Sequence, residues 1–431
     1  MPIIKDLKKA KKKIEAISSR FDLSKMKKEY KSVETIVNTV RQKGDKALIY
    51  YTKKFDKVNL KNIRASKVEI QNSTKQVSKP LLTSIKKAIK RITTFQKTNI
   101  PKTWIKVFNS NEKLGYKYMP LDSVGIYIPG GKAPLISTVL MTVIPAKVAG
   151  VKRIVIFTPP LVNKGILAAC KLLKVNEVYQ IGGAQAISAS AFGTESIKPV
   201  NKIVGPGNVY VTLAKKIVFG KVGIDGLYGP SEIAIIADKT ANSKFLAIDL
   251  LSQLEHGSGL ESAFMVTNSE ELAKKTQSEL LKLAKTLANK KTVLKSWNKN
   301  SAIIIVRDLN NACELINLLA PEHLEIITKN AFSIFKKIKN AGAIFLGEYS
   351  CESVGDYIAG PSHCLPTGGS AKFSSGLTVM DFMKKISVIS FNKKAFNKVA
   401  KDIIELADAE GLKAHGDAVR IRQDLSLRGT K

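Results

Sequence analysis

EVYQIGGAQAI (residues 177–187) joins an apolar run of strand length to a Gly-Gly turn and the start of a helix. KIVGPGNVYVTLAKKIV (202–218) repeats this plan, and VGIYIPGGKAPL (124–135) runs from a buried strand into another glycine-rich turn. Strands that alternate with glycine turns and helices are typical of a parallel sheet with crossover helices. Ligands in such folds bind at the carboxyl ends of the strands, where these turns lie.

A second set of strand-length apolar runs follows farther along the chain. These runs are SEIAIIAD (231–238), ESAFMVT (261–267), SAIIIVRD (301–308), HLEIIT (323–328) and AGAIFLG (341–347). Helical patterns separate them, including a long helix predicted over residues 269–290. The sequence therefore predicts an α/β fold with two Rossmann-like parallel-sheet domains of incomplete, non-standard form, plus small helical N- and C-terminal segments.

The domain boundaries follow from where these patterns begin and end. We predict an N-terminal helical segment over 1–20, a first α/β domain from 21–122 with 232–380, an inserted second α/β domain over 123–231, and a helical tail over 381–431. Helical periodicity with a break at Gly44 dominates the first 100 residues, and IKVFNSNEKLGYKYMPL (105–121) has the alternation and Asn turn of a β-hairpin.

The net charge of +35 in 431 residues raises the question of an acidic partner. The lysines occupy nearly every polar position and aromatic residues make up only 7% of the chain, so we interpret the charge as a compositional bias rather than a nucleic-acid interface. No apolar stretch is long enough for a membrane helix, and the basic N-terminus lacks an apolar signal core. We therefore expect no specific nucleic-acid or membrane partner, and a cytoplasmic location.

The cysteines Cys170, Cys313, Cys351 and Cys364 form no CxxC pair. Four cysteines in a chain of this length are no disulfide framework, so a reducing compartment is indicated. Cys351 and Cys364 lie in a polar, glycine-rich region where either could act as a nucleophile. We interpret all four as free and chemically inert.

DLLSQLEHG (249–257) has the leucine spacing of an amphipathic helix that Gly257 and Gly259 would end. Gln253 and His256 are three residues apart, so they share one face near the end of this helix. An amide oxygen beside an imidazole can bind a borderline cation such as zinc. The alternative is an ordinary polar helix end with a surface histidine.

The chain has only four histidines, His256, His323, His363 and His415. Each lies beside a glycine, an acidic residue or a proline-bounded loop, which is more typical of functional than of packed histidine. None belongs to HExxH or another short zinc motif, so a metal site would need ligands from distant segments. Asp356, between two glycines, could complete such a site with Gln253 and His256, or could cap a turn.

Glu322 and His323 are adjacent and follow Pro321 at the start of a predicted strand. Such a pair can divide the duties of base and proton shuttle if both open onto one cleft, but a merely polar loop has the same sequence. The glycine turns at 129–131, 182–183 and 205–207 allow a ligand to approach the backbone closely. Because no GxGxxG follows any strand, they support a nucleotide or anion site only modestly.

Several long motifs together resemble those of the histidinol dehydrogenase family. They are GIYIPGGKAPLISTVLMTVIPAKVAG, IGGAQAISASAFGT, VGPGNVYVTLAK, GPSEIAIIAD, DLLSQLEHG, LAPEHLEI, SVGDYIAGPSHCLPTGG and AEGLKAHGDAVRIR. They occur in that family's order and extend from about residue 120 to 422. The helical first 100 residues fit less distinctively.

The resemblance implies a zinc-dependent enzyme that oxidises L-histidinol to L-histidine through L-histidinaldehyde, using two NAD in two hydride transfers at the end of histidine biosynthesis. It implies one zinc per subunit, bound by Gln253, His256, Asp356 and His415. The last ligand comes from the partner subunit in this family, so the resemblance implies an obligate homodimer with a shared active site. The tail over 381–431 is then a dimerisation segment, and the discontinuous domain carries the zinc and substrate site.

The resemblance also assigns the other site residues. The acid–base pair falls on Glu322 and His323. The substrate contacts fall on Ser231, Gln253, His256, His323, Asp356, His363, Glu410 and His415. The NAD contacts fall on Tyr127, Gln185 and Asn208, in the inserted domain. Two alternatives remain: a related dehydrogenase acting on another amino or sulfonated alcohol, and a basic binding protein built on a degenerate enzyme fold.

Overall fold

The computed structural model describes residues 1–428 except 21, 110–111, 131–133, 257 and 288–289. Gly131 of one predicted glycine turn and Gly257, predicted to end the helix of Gln253, lie outside the described residues. Among the helices that are described, none is long and apolar enough to cross a membrane.

The elements alternate along the chain as predicted for an α/β protein. The strands are β1 (Ile3–Ile4), β2 (Trp104–Val107), β3 (Lys113–Pro120), β4 (Ser123–Tyr127), β5 (Arg153–Thr158), β6 (Glu177–Gln180), β7 (Lys202–Val204), β8 (Gly223–Ile224), β9 (Glu232–Ala237), β10 (Ser262–Thr267), β11 (Ala302–Ile305), β12 (His323–Ile327), β13 (Ala343–Leu346) and β14 (Met383–Ser390).

The helices follow the strands in the order that a crossover topology requires. They are α1 (Leu7–Ser18), α2 (Lys27–Asp56), α3 (Lys67–Asn72), α4 (Lys79–Lys97), α5 (Ile136–Ala149), α6 (Lys164–Leu172), α7 (Gly183–Phe192), α8 (Val209–Val218), α9 (Ser243–Leu254), α10 (Glu270–Leu283), α11 (Lys290–Asn300), α12 (Leu309–Leu319), α13 (Ala331–Phe335), α14 (Glu352–Val354), α15 (Lys393–Ala409) and α16 (Lys413–Arg428).

The larger sheet has the strand order β1-β11-β10-β9-β12-β13 within the described residues, and its strands pair in parallel. Successive side chains of a strand point to opposite faces, so Ile233 and Ile235 pack with α9, α10 and α11 while Ala234 and Ile236 pack with α1 and α12. Helices on both faces explain why SEIAIIAD is apolar without alternation.

The smaller parallel sheet has the order β6-β5-β4-β7-β8 among the residues described. Val155 and Phe157 of β5 pack with α2 and α7 in one apolar cluster. The glycine turns follow the carboxyl ends of β4, β6 and β7, and α7 and α8 begin directly after two of them. The predicted α/β fold with parallel sheets and crossover helices is confirmed.

The chain divides into two compact units, and the first, 1–99 with 121–382, contains both parallel sheets. The second unit, 100–120 with 383–431, contains an antiparallel sheet of order β14-β3-β2 and helices α15 and α16. The hairpin of β2 and β3 is confirmed. The finer division into four parts made from the sequence stays a prediction.

Three local features differ from the sequence analysis. The helical tail begins with a strand, β14, which pairs with β3 over eight residues. The N-terminal segment begins with β1, which pairs with β11. The helix predicted over 269–290 is interrupted after Leu283, whose carbonyl accepts a 2.8 Å hydrogen bond from the Thr286 hydroxyl. The predicted break at Gly44 is confirmed by its φ of 51° inside α2.

A buried ion pair fixes the glycine turn after β7. Lys215 of α8 is 1% exposed, contacts the Asp225 carboxylate, and donates a 3.0 Å hydrogen bond to the carbonyl of Gly205. Asp225 also accepts hydrogen bonds from the Gly205 amide at 2.6 Å and the Tyr228 hydroxyl at 2.9 Å. Gly205 has a φ of 109°, which other residues rarely adopt. The pair therefore holds a strained turn in place.

We expect Lys215→Met to lower the free energy of unfolding by about 3–5 kcal/mol, because it leaves the Asp225 carboxylate buried without its cation. Urea denaturation followed by circular dichroism measures this loss. The control is Lys216→Met, which removes the same charge from an exposed neighbour in α8 and changes the free energy by less than about 0.5 kcal/mol. Equal effects of the two substitutions would contradict a structural role for the pair.

Candidate active site

The larger sheet brings predicted site residues together at the amino ends of its strands. Ser231 lies just before β9, and Glu322 and His323 lie at the start of β12, which pairs with β9. A crossover helix returns to this edge, so the residues after α9 place the Nδ1 atom of His256 3.1 Å from the Ser231 hydroxyl. The cluster therefore lies at the amino ends, whereas the sequence analysis placed ligand sites at the carboxyl ends.

His323 is held in one ring orientation and one tautomer. The ring is buried, and its Nδ1 lies 3.0 Å from the backbone carbonyl of Glu232, which can only accept a hydrogen bond. Nδ1 therefore carries the proton, and Nε2 points to the Asp356 carboxylate at 3.6 Å. The Glu322 carboxylate lies 3.7 Å from Nδ1 and accepts a 2.9 Å hydrogen bond from the Glu232 amide.

The electrostatics of this cluster favour a positive charge at its centre. Burial opposes the charged form of His323, but the carboxylates of Glu322 and Asp356 outweigh it and raise the pKa of His323 to about 10. Burial raises the pKa of Glu322 to about 8. Burial also acts to raise the pKa of Asp356, but the hydrogen bond with His323 and the charge of its ring lower it well below its usual value.

A third carboxylate, Glu352, belongs to the cluster and was missed by the sequence analysis. Ligand atoms of His323, Glu352 and Asp356 all lie within 4.8 Å of one another. Burial, followed by the charge of Asp356, raises the pKa of Glu352 to about 8. The sequence does contain a signal for this residue. Glu352 is four residues before Asp356, and residues i and i+4 of a helical turn lie on the same face, so the two carboxylates are expected to be neighbours.

Gln253 lies in the last turn of α9 and is fully buried. Neither its amide oxygen nor its amide nitrogen has a hydrogen-bond partner among the described residues. An unsatisfied buried amide costs about 1–3 kcal/mol, so a native protein rarely keeps one without a ligand. His256, three residues on, is exposed and lies within electrostatic range of Asp356 and His323.

His363 joins the same region from the loop after Asp356. Its Nδ1 lies 3.1 Å from the Asp356 carbonyl and its Nε2 lies 3.0 Å from the Thr138 hydroxyl. Asp356 and His363 line a cavity of about 670 Å³ whose other lining residues are both apolar, such as Phe345 and Leu365, and polar, such as Asn99. The cavity gives a small polar molecule access to the cluster.

Glu410 and His415 belong to the second unit. Glu410 ends α15, His415 lies in the first turn of α16, and both side chains are exposed. The cluster of the first unit is therefore built without them.

The three predicted cofactor residues line one cavity of about 480 Å³ at the carboxyl ends of the smaller sheet. The Tyr127 hydroxyl accepts a 3.0 Å hydrogen bond from the Gly183 amide. Asn208 caps α8, since its side-chain oxygen accepts hydrogen bonds from the amides of Tyr210 at 3.0 Å and Val211 at 3.2 Å. The oxygen of the buried Gln185 amide has no partner among the described residues.

This cavity has the properties of a dinucleotide site. The N-termini of α7 and α8, where amide groups and the helix dipole favour anions, both border it. The glycines at 182 and 183 leave room for a ligand at the backbone, and Gly183 has a φ of 65°. The expectation that the glycine turns surround a ligand site agrees with this arrangement.

The four cysteines are free, as predicted from their spacing. Cys170, Cys313 and Cys364 are buried, and Cys351 is half-buried beside the cluster. Burial raises the pKa of the Cys170 thiol to about 12, so this thiol is not a nucleophile near neutral pH.

Comparison with known proteins gives a consistent result. The family model of histidinol dehydrogenase matches residues 20–423. The chain belongs to the histidinol dehydrogenase family. A histidinol dehydrogenase of Clostridium acetobutylicum is 46% identical over 396 residues, which are 91% of this chain and 92% of the relative. A histidinol dehydrogenase of Aquifex aeolicus is 44% identical over 428 residues, which are 98% and 99% of the two chains.

The fold comparison agrees with the sequence comparison. The crystal structure of histidinol dehydrogenase from Elizabethkingia anophelis is similar to this chain with a TM-score of 0.89 and 40% identity, and the similarity covers 93% of each chain. The family and the enzyme class predicted from the motifs are confirmed, and the chain is an oxidoreductase of this family.

The unpaired amide of Gln253 leads to a prediction for metal-free protein. We expect Gln253→Met, which keeps the side-chain size, to raise the free energy of unfolding by about 1–2 kcal/mol, because it removes a buried polar group without partners. Chemical denaturation in the presence of a chelator measures the change.

The control is Gln96→Met in α4. Gln96 is also buried, but its amide donates a 2.9 Å hydrogen bond to the carbonyl of Gly360, so its loss lowers the free energy by about 1 kcal/mol. If both substitutions destabilise the protein equally, the Gln253 amide serves the fold rather than a ligand.

Proposed function

We propose that this enzyme oxidises L-histidinol to L-histidine through L-histidinaldehyde, with two NAD and one water consumed, as the final steps of histidine biosynthesis. The observation that carries the proposal is the fully buried, unpartnered amide of Gln253, close in sequence to His256 and in the same unit as a cluster of one imidazole and two carboxylates. Membership of the histidinol dehydrogenase family supports the same substrate.

Zinc fits the donor groups of this site. An amide oxygen, imidazole nitrogens and a carboxylate form a set of ligands that zinc accepts. We assign one zinc per subunit to Gln253, His256 and Asp356, with His415 of the partner subunit as the fourth ligand. The hydrogen bond between Ser231 and Nδ1 of His256 orients that ring and leaves Nε2 as its ligand atom.

When bound, zinc supplies a Lewis-acidic anchor for the imidazole and amine of histidinol, and NAD supplies the acceptor for hydride. NAD contacts are assigned to Tyr127, Gln185 and Asn208. Further substrate contacts are assigned to Ser231, His363 and Glu410. We assign the enzyme to a cytoplasmic homodimer whose active sites are shared between subunits, and the exposure of the Glu410 and His415 side chains supports the sharing.

His323 is the base that prepares the alcohol for oxidation once Asp356 is bound to the metal, because the charge of the free Asp356 carboxylate is one of the causes that raise the pKa of His323 and keep its ring protonated. Its Nδ1–H donates to the carbonyl of Glu232, so Nε2 is the atom that accepts the hydroxyl proton of histidinol. Removing this proton makes the carbon a better hydride donor. The carboxylates of Glu322 and Asp356, on either side of the ring, stabilise the imidazolium that results.

Glu322 serves the second oxidation. An aldehyde must add water before it can give up a second hydride, and a carboxylate can take the proton of that water. The Glu232 amide holds one Glu322 oxygen at 2.9 Å, and burial raises the pKa of Glu322 to about 8, which makes its carboxylate a stronger base than an exposed one. Glu322 and His323 thus divide the two proton transfers.

We expect purified protein to form two NADH per L-histidinol, followed by absorbance at 340 nm. Removal of the metal with a chelator abolishes the reaction and added zinc restores it, because the ligand groups alone do not bind the amino alcohol. NADH formation from another amino or sulfonated alcohol but not from histidinol overturns the substrate. Full activity in protein shown to be metal-free overturns the zinc site.

We expect Glu322→Gln to slow oxidation of L-histidinaldehyde about 10²-fold more than oxidation of L-histidinol, because the amide cannot accept the proton of water. Single-turnover measurements with each substrate separate the two steps. Glu314→Gln on the exposed side of α12 is the matched control and leaves both rates unchanged. Equal losses in both steps of the Glu322 variant would refute this division of labour.

A further inference from the structure

A single carboxylate faces the dinucleotide cavity from the end of α2. Asp56 is the last residue of that helix and lines the cavity together with Phe55, Tyr127 and Asn208. Its Oδ2 atom is buried and has no hydrogen-bond partner among the described residues. The sequence analysis did not select this residue, because the surrounding helix is rich in lysine and has the pattern of a surface helix.

The position of Asp56 is unfavourable for the fold on two grounds. A carboxylate at the C-terminus of a helix is repelled by the negative end of the helix dipole. A buried carboxylate oxygen without a donor loses its hydration without compensation. The fold therefore gains nothing from the Oδ2 atom, and a ligand that brings hydroxyl donors into the cavity would satisfy it.

The charge of the cavity is opposite to that of the whole chain. The chain has 70 Lys and Arg against 35 Asp and Glu, yet the described residues that line this cavity include Asp56 and no lysine or arginine. A phosphate group beside Asp56 would meet its negative charge, and the described residues that line the cavity offer no cation to offset it. Neutral hydroxyl groups, in contrast, can donate hydrogen bonds to the carboxylate.

Phe55 completes a nucleoside site beside Asp56. Its ring is 50% exposed, lines the cavity, and stacks on Tyr51 with ring centroids 5.6 Å apart and planes at 7°. An exposed, braced aromatic ring is suited to stacking against a base. No described residue that lines the cavity belongs to the cluster of His323, Glu352 and Asp356, so the cavity suits the half of the dinucleotide that does not react.

We infer that Asp56 accepts hydrogen bonds from the ribose hydroxyls of the adenosine half of the dinucleotide, beside a base stacked on Phe55, and thereby selects NAD over NADP. The inference rests on the proposed use of NAD. The 2′-phosphate of NADP replaces a hydroxyl donor, so one hydrogen bond to the carboxylate is lost. Its negative charge is also repelled by the carboxylate, and both effects weaken NADP binding relative to NAD binding. Asp56 is thus a binding residue that sets cofactor specificity.

The test compares the affinities of NAD and NADP for the whole enzyme by isothermal titration calorimetry. Asp56→Asn keeps the side-chain size and removes the charge, and Asp56→Ser also makes room for a 2′-phosphate. We expect both to weaken NAD binding and to narrow the ratio of NAD to NADP affinity by roughly 10- to 100-fold, the effect of a hydrogen bond to a charged group. Glu34→Gln removes one charge from the exposed face of the same helix and leaves both affinities unchanged.

The outcomes separate the inference from the proposed function. The inference is supported if the ratio of NAD to NADP affinity is smaller in both Asp56 variants than in the wild type, and if the circular dichroism spectra show that both variants are folded. If NAD binds the wild type and both variants with the same preference over NADP, Asp56 does not set the specificity, although the proposed cofactor stands. If the wild type binds neither dinucleotide, the proposed cofactor itself is overturned.

Discussion

The site depends on the burial of more negative charge than the described protein groups around it can neutralise. Glu322, Glu352 and Asp356 surround the His323 ring, and the ion pairs found among the described residues give these three carboxylates no lysine or arginine partner. Buried carboxylates without cations are costly, and the raised pKa values of Glu322 and Glu352 show that cost. The metal proposed for this position would offset that cost, so the same charges that oppose folding of the bare chain favour its binding.

The larger sheet fixes the positions of these charged side chains relative to one another. Glu322 and His323 are fixed by the backbone of Glu232, one through its amide and the other through its carbonyl, across adjacent parallel strands. The Glu232 side chain is in turn paired with Arg20 at 2.7 Å. Because β9 and β12 are buried on both faces, a slip in their relative register would displace packed side chains on both sides of the sheet. A rigid sheet thus supplies the precision that the chemistry needs.

Much of this architecture could be predicted from the sequence, because it is encoded locally. The strand, glycine turn and helix pattern identified the parallel sheets, and the glycine turn at 182–183 does border a cavity. The cluster at the amino ends could not be located, because residues far apart in the chain converge only once the crossover helices have turned back. Asp56 lies in a lysine-rich helix with the pattern of a surface helix, and Glu352 lies in a three-residue helix that is too short to show a periodic pattern. The strand β14 is mostly exposed, so it lacks the apolar alternation that marks buried strands.

The two sites lie at edges of opposite polarity in two different sheets. The histidine and carboxylate cluster is carried by the amino ends of β9 and β12, and the dinucleotide cavity by the carboxyl ends of β4, β6 and β7. The loops that shape one site are therefore separate in sequence from those that shape the other. Laboratory evolution of the enzyme can therefore randomise the loops around the histidine and carboxylate cluster and the turns around the second cavity as independent libraries, and then combine the best variants of each.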